Sequence, residues 1–271
     1  MKISDKLANS IRTRWPDRAE SWLASVGPEL GDLARQHSAT PKRVIPGRYA
    51  LIVAATSPDG PVIFRASPDP AASEQATVAE ALGRLGVGPT IHLSISSNIG
   101  SWTVMDEVVP GTPLADIGPA SLDIDELTQP LRVIAGQLAP SRNLPHISDW
   151  LRDRLTDDNL SDLPLGEHVA PKAERVRALS ILNELTSDVL TGLCHGDASP
   201  WNVLAGQDND WVLIDPRGIQ GEEEYDAAVL AYKTERVLSI SDAAPKIVAA
   251  VSGLDTDRIA AWIFVARAAR V

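Results

Sequence analysis

The residues best suited to chemistry lie in one stretch, Leu193-Cys194-His195-Gly196-Asp197-Ala198-Ser199-Pro200-Trp201-Asn202, followed closely by Trp211-Val212-Leu213-Ile214-Asp215-Pro216. Transfer of a phosphoryl group from ATP makes specific demands. One carboxylate must orient or deprotonate the attacking hydroxyl, and two further oxygen ligands must hold Mg²⁺ against the triphosphate. Asp197 suits the first task; Asn202 and Asp215 suit the second. The apolar runs after Asn202 and before Asp215 flank a polar turn at Gln207–Asp210. Two short strands around such a turn form a hairpin, which would bring Asn202 and Asp215 side by side.

The elements that must position these groups can be followed along the chain. Ser4 to Gln36 has helical spacing, with Trp15, Trp22, Leu23 and Leu30 as apolar anchors, and Pro16 either breaks it or starts a second helix. Tyr49–Thr56 and Pro61–Ala66 are β-type runs joined by the turn Ser57-Pro58-Asp59-Gly60. Ala71–Leu85 is predicted helical and is closed by Gly86 and Gly88. Ile91–Ser96 and Ser101–Val108 form a second predicted hairpin, and Pro110-Gly111-Thr112-Pro113 then ends regular structure. Beyond it, helices are predicted at Asp123–Leu138, Ile147–Leu155, Pro171–Leu185, Tyr225–Leu238, Ala243–Val251 and Asp255–Ala269, interrupted by the β-rich stretch that carries the motif. Asp255 is the expected N-cap of the last helix, which presents Ile259, Trp262, Ile263 and Ala266 on one face.

Bulk properties narrow the classes. A formal charge of −11 disfavours non-specific nucleic-acid binding, which relies on Lys and Arg to neutralise phosphates. It suits a cationic acceptor weakly. No apolar run reaches the 18 or so residues of a membrane span, and Met1 to Ser10 is polar with no signal-type core. The lone Cys194 permits no internal disulfide and fits a reducing cytoplasm. The seven tryptophans are expected in the core, save Trp201, whose place in the motif puts it near an acceptor.

His195, Asp197 and Asn202 reproduce the spacing of the protein-kinase catalytic loop, with Gly196 in place of its Arg. Together with Ile214-Asp215-Pro216, the segment resembles the signature of the aminoglycoside phosphotransferase family. The continuation through Arg217-Gly218-Ile219-Gln220-Gly221-Glu222 to Tyr225-Asp226-Ala227-Ala228 is similar to the branch of streptomycin 6-phosphotransferases and hydroxyurea-resistance kinases. The likeness spans about Thr103 to Leu230 and is most specific over Leu193–Ala228; the N-terminal third matches in layout only. The resemblance implies an α+β, bilobal protein-kinase-like fold: a small N-terminal nucleotide-binding lobe with an antiparallel sheet (1–108) and a larger, mainly helical catalytic and substrate-binding lobe (109–271). It implies Asp197 as catalytic base, Asn202 and Asp215 as Mg²⁺ ligands, His195 as a brace within the loop, and Asp226 as acceptor for loop backbone groups. It further implies Met105 behind the adenine ring of ATP, with backbone groups of Asp106 and Val108 at its edge.

Two positions depart from the family pattern. Arg65 stands where a phosphate-binding lysine is expected, and its glutamate partner is Glu74 or, by preference, Glu80. Only Gly47 stands in for a glycine-rich loop. Glu222–Glu224 is either a charge cluster favoured by a helix N-terminus or part of a substrate site. The expected function is ATP-dependent transfer to a hydroxyl of a small, polar, cationic or sugar-like acceptor such as streptomycin. The alternatives are a metabolic amino-sugar or small-alcohol kinase and a nucleotide-binding pseudokinase.

Overall fold

The computed structural model describes residues 3–118, 122–163, 166–187, 192–207, 210–240, 243–251 and 253–271. They divide into two compact units, Met1–Val108 and Val109–Val271.

The first unit begins with helices α1 (Asp5–Arg14) and α2 (Pro16–Gln36). The Ser4 hydroxyl caps α1 by accepting from the Leu7 N–H, and Pro16 occupies the first turn of α2, where its missing N–H costs nothing. Five strands follow: β1 (Thr40–Ile45), β2 (Leu51–Ser57), β3 (Gly60–Ser67), β4 (Ile91–Ser96) and β5 (Ser101–Asp106), with α3 (Ala72–Arg84) between β3 and β4. They form one antiparallel sheet in the order β1-β2-β3-β5-β4. Leu7, Ile11, Trp22, Val26, Leu30 and Leu33 of the helices share a core with Leu51, Val53, Phe64, Trp102 and Val104 of the sheet. That apolar contact, rather than intrinsic propensity, is what holds the helical pair in place. The Trp102 indole N–H donates to Glu29 at 2.6 Å, so the ring's one polar atom is satisfied.

The expected hairpins and the Ala71–Leu85 helix are present, with Gly86 at φ +75 closing the helix. Strand β1 was not expected. It is an edge strand with exposed residues, a proline and an irregular register between Pro41 and Arg43, so it carries no apolar alternation to read.

The second unit is mainly helical: α4 (Ile124–Ile134), α5 (Ile147–Thr156), α6 (Lys172–Leu185), α7 (Glu223–Leu238), α8 (Ala243–Ala250) and α9 (Thr256–Ala268). Two antiparallel strand pairs interrupt it, β6 (Gly192–Leu193) with β9 (Gln220–Gly221), and β7 (Val203–Ala205) with β8 (Trp211–Leu213). Helix α7 is the hub. Tyr225 to Tyr232 are all buried along it, and α4, α8 and α9 pack around it. Asp255 caps α9 as expected, accepting from the Asp257 and Arg258 N–H groups. Trp262 is fully buried; it meets Tyr225 edge-on at 5.4 Å and donates to Glu222 at 3.1 Å. Ile263 is only half-buried, and Val265 takes its expected place in the core. Helix α4 ends before the expected Leu138, because Gly136 turns left-handed at φ +71 and the chain departs to bridge Gly192. No described helix is long and apolar enough to cross a membrane.

Candidate active site

The His195–Asn202 segment leaves β6 as a loop tied down at many of its backbone groups. Asp226, fully buried in the first turns of α7, accepts from the His195 N–H (2.7 Å) and the Gly196 N–H (2.8 Å). Burial raises the Asp226 carboxyl above the ordinary aspartate value, and these two amides and His195 offset part of that. His195, also fully buried, accepts from the Asp197 N–H at Nδ1 (3.2 Å), while Nε2 lies 2.9 Å from the Ile214 carbonyl. One ring therefore spans the loop and the chain just before Asp215. The Asp197 carbonyl accepts from the Ser199 N–H (2.7 Å) and from the Asn202 side-chain amide (3.0 Å).

The β7–β8 hairpin forms with Val203 opposite Leu213. Asp208 and Asn209 of the expected Gln207–Asp210 turn lie outside the described residues. One step beyond the ladder, the Ile214 N–H donates to the Asn202 carbonyl at 2.9 Å, which sets Asn202 beside the chain entering Asp215. Asp215 itself holds φ +54, an unusual backbone for a residue with a Cβ, tolerated best by Asn and Asp. The Asn202 Nδ2 is committed to Asp197, which leaves its Oδ1 as an open ligand atom. An amide oxygen and a carboxylate form a hard-oxygen pair of the kind Mg²⁺ accepts when phosphates and water complete its shell. Among the described residues no group of three or more His, Cys, Asp or Glu could hold a metal without such help.

The Asp197 side chain is 25% exposed and sits between two cations. Lys233 Nζ on α7 is 3.3 Å from Oδ1, and Arg217 Nη2 is 3.3 Å from Oδ2. Burial raises this carboxyl, but Lys233, Arg217 and His195 outweigh it and leave the group below the usual aspartate value. It is a carboxylate at neutral pH. Sequence reasoning passed over both cations. Lys233 had a usable signal: it lies two helical turns beyond Asp226, on the same face of α7, and so looks at the same loop. Arg217 had none beyond its closeness to Asp215. Trp201 projects from the loop, 57% exposed. Cys194 is fully buried, and burial pushes its thiol well up.

Gly196 is required by shape. At φ +80, a Cβ there would lie 2.6 Å from Ile219 Cδ1, which explains why this loop has no Arg at that position. The three glutamates stand at the N-terminus of α7, as the dipole favours. Two of them also have structural partners. Buried Glu222 pairs with Arg258, and Glu223 accepts from the Gly136 N–H at 3.1 Å.

In the first unit, Arg65 lies mid-strand in β3, paired with Ile52 and Thr103. Its guanidinium donates to Gln75 Oε1 on α3 at 3.2 Å, and Gln75 in turn donates to Asp69. The two candidate glutamates have contacts of their own. Glu80 lies 3.8 Å from Arg84 on its own helix, and Glu74 accepts from Ser73. The Gln75 amide thus lies close to the start of α3 and against Arg65. Met105 and Asp106 close β5, with Met105 opposite Ile63 and Ile91. The Asp106 N–H is spent on the Thr90 carbonyl (3.0 Å) and its carboxylate meets His92 at 2.6 Å. Val108 follows, half-buried, at the end of the unit. Gly47 sits in the β1–β2 connection, where a Cβ would meet the Ala50 carbonyl at 2.5 Å.

Comparison with known proteins gives three findings. Residues 164–270 match the family model described as aminoglycoside/hydroxyurea antibiotic resistance kinase, which is the likeness carried by the motif above. A search of the curated proteins gives no sequence match. Among solved structures, an aminoglycoside-3'-phosphotransferase of type VIII superposes with a TM-score of 0.63 at 16% identity, covering 87% of this chain and 96% of that one. Aminoglycoside phosphotransferase APH(3'')-Id of Streptomyces rimosus, solved with ADP and streptomycin, gives 0.63 at 17%, covering 89% and 97%. A choline/ethanolamine kinase family protein of Mesorhizobium loti gives 0.61 at 15%, covering 88% and 81%. The fold is the α+β kinase-like fold that these proteins share.

Proposed function

We propose that this chain is an ATP-dependent phosphotransferase that moves the γ-phosphoryl group to a hydroxyl of a small polar acceptor. The observation that carries the reading is the loop geometry. The Asn202 side-chain amide is locked to the backbone carbonyl of the ionised Asp197 and, through the Ile214 N–H, the Asn202 backbone is tied to the chain entering Asp215. A protein without catalysis has no need to keep all three groups in register, which argues against a pseudokinase.

Asp197 accepts the hydrogen bond of the acceptor hydroxyl and takes its proton as that oxygen bonds to the γ-phosphorus and the bond to the ADP oxygen breaks. Arg217 and Lys233 hold the carboxylate ionised and oriented. Asn202 Oδ1 and Asp215 would hold Mg²⁺, which would supply neutralisation of phosphate charge when bound. In the first unit, Met105 and backbone groups at Asp106 and Val108 are the adenine-binding positions. The carbonyl of Asp106 is the group to consider, since its N–H is already used. Arg65 is the phosphate-binding cation, steadied by Gln75.

The acceptor in this reading is an aminoglycoside of the streptomycin type, in line with the matched family model and with the neighbour solved with streptomycin. A small-alcohol kinase is the second reading, supported by the choline/ethanolamine kinase-family neighbour. The test is mass spectrometry of a panel containing streptomycin, other aminoglycosides, amino sugars, choline and ethanolamine, each incubated with protein, ATP and Mg²⁺. One member gaining the mass of a phosphoryl group supports the reading and selects between the two acceptor classes. ADP release with no phosphorylated acceptor anywhere in the panel contradicts it.

A further inference from the structure

Trp150, on α5, has no part in the chemistry described so far, yet two guanidinium groups lie over its ring. Arg154, one turn further along the helix, is 4.9 Å from the ring centroid, and Arg217 is 3.9 Å from it. The Arg217 contact is the shortest of its kind among the described residues. The two arginines are anchored very differently. Arg154 is buried and donates to the Ala269 carbonyl (2.9 Å), the Arg270 carbonyl (2.8 Å) and Asp162 (2.6 Å). It is a fixed post on one side of the ring. Arg217 comes from the irregular chain between β8 and β9, and its polar contacts are long: 3.2 Å to the Gly196 carbonyl and 3.3 Å to Asp197. Hydrogen bonds at those distances constrain direction weakly. A planar guanidinium laid on a ring has its plane defined by the stack, and with it the direction in which each N–H points.

We propose that Trp150 is a positioning residue, whose ring face holds the Arg217 guanidinium in the plane from which it meets both the Gly196 carbonyl and the Asp197 carboxylate. This rests on the assignment of Asp197 as the group that receives the acceptor hydroxyl. Asp197 is faced by His195 from its own loop, by Arg217 from the β8–β9 segment, and by Lys233 with Tyr225 and Tyr232 from α7. Of these, only Arg217 depends on an aromatic face for its orientation. The ring thus links the end of α9, through Arg154, to the carboxylate at the centre of the loop.

The test has two arms. In protein with isotope-labelled arginine, the Arg217 Nε–Hε resonance, assigned by its loss in Arg217→Lys, is displaced by the ring current of Trp150. Trp150→Leu is expected to return it to the range of exposed arginines, whereas Trp150→Phe keeps it displaced. In turnover with MgATP and streptomycin as probe, Trp150→Leu is expected to lower kcat about tenfold while the KM for ATP stays within about twofold. Trp150→Phe should restore most of that loss. In an Arg217→Ala background, Trp150→Leu should cost less than about twofold further, because the two residues act as one unit. An Arg217 resonance unmoved by Trp150→Leu overturns the inference. So does a turnover loss of equal size with Arg217 absent, which would make Trp150 a packing residue only. The spectroscopic arm needs neither acceptor nor catalysis. A failure of the proposed function therefore shows as missing phosphotransfer with the Arg217 shift intact, and a failure of this inference shows as the reverse.

Discussion

Replacing Gly196 by alanine tests why the loop is built with glycine at its centre. The backbone there holds φ +80, and a Cβ in the left-handed region costs about 1–2 kcal/mol. The new methyl would also lie 2.6 Å from Ile219 Cδ1, 2.8 Å from Ile219 Cγ1 and 3.0 Å from Arg217 Cβ. Ile219 is itself buried, so it cannot swing into solvent, and forcing such overlap into packed surroundings costs about 1–3 kcal/mol. The expected loss is about 2–5 kcal/mol. At about 2–4 °C per kcal/mol for a domain of this size, the melting temperature should fall by about 5–20 °C. Gly136→Ala is the internal control. Gly136 shares the backbone problem at φ +71, yet a Cβ there meets nothing within 4 Å. Its expected cost is the backbone part alone, about 1–2 kcal/mol. Differential scanning calorimetry of both variants separates the two contributions. Equal melting temperatures would show that the Ile219 overlap relaxes freely and would refute the steric account of the loop.

Asp215→Asn, which removes a charge from the proposed metal pair, should weaken Mg²⁺-dependent nucleotide binding in calorimetric titration as well as turnover; unaltered Mg²⁺ dependence would count against the ligand role. Arg65→Ala should chiefly raise the KM for ATP and Arg65→Lys should retain much of the activity, with unchanged ATP kinetics in the alanine variant removing Arg65 from the nucleotide site. Burial raises the Asp197 carboxyl while Lys233, Arg217 and His195 hold it down, so the acid limb of kcat should lie below the usual aspartate range. Lys233→Met leaves burial less opposed and should move that limb upward; a limb that stays put would contradict the pairing. The same depression contributes stability that is present above about pH 4 and is lost as pH falls through the folded-state value. Trp262→Ala removes a fully buried ring, its bond to Glu222 and its edge contact with Tyr225, and should cost about 3–5 kcal/mol in denaturant unfolding.

Much of the local structure could be read from the chain because its signals are local. The turn at Ser57–Gly60, the paired apolar runs around it and the Asp255 cap each depend on neighbours within a few residues. The β7–β8 hairpin was legible for the same reason, and it sets Asn202 beside the chain at Asp215. Contacts set by tertiary packing were not legible. Arg217 and Lys233 reach Asp197 from outside its loop; the spacing of Lys233 from Asp226 on α7 was a signal that could have been read, whereas nothing in composition marks one arginine for that task. The same holds for Arg65, whose helix contact is the amide of Gln75, a residue with no charge to suggest a pairing. Strand β1 escaped notice because an exposed edge strand has no buried face to give it a pattern. Of the three glutamates at α7, the helix-terminal position was readable from sequence, but the burial of Glu222 against Arg258 and Trp262 depends on where α9 packs.

In the proposed reaction Asp197 carries the phosphoryl transfer to a hydroxyl while other groups hold the nucleotide. That role is tested most directly by label transfer from γ-labelled ATP to the acceptor that passes the substrate panel, comparing the native chain with Asp197→Asn at saturating MgATP. The account predicts that the asparagine variant binds MgATP nearly as well as the native chain and transfers label about 10²–10⁴ times more slowly. Label transfer at the native rate in Asp197→Asn would contradict it.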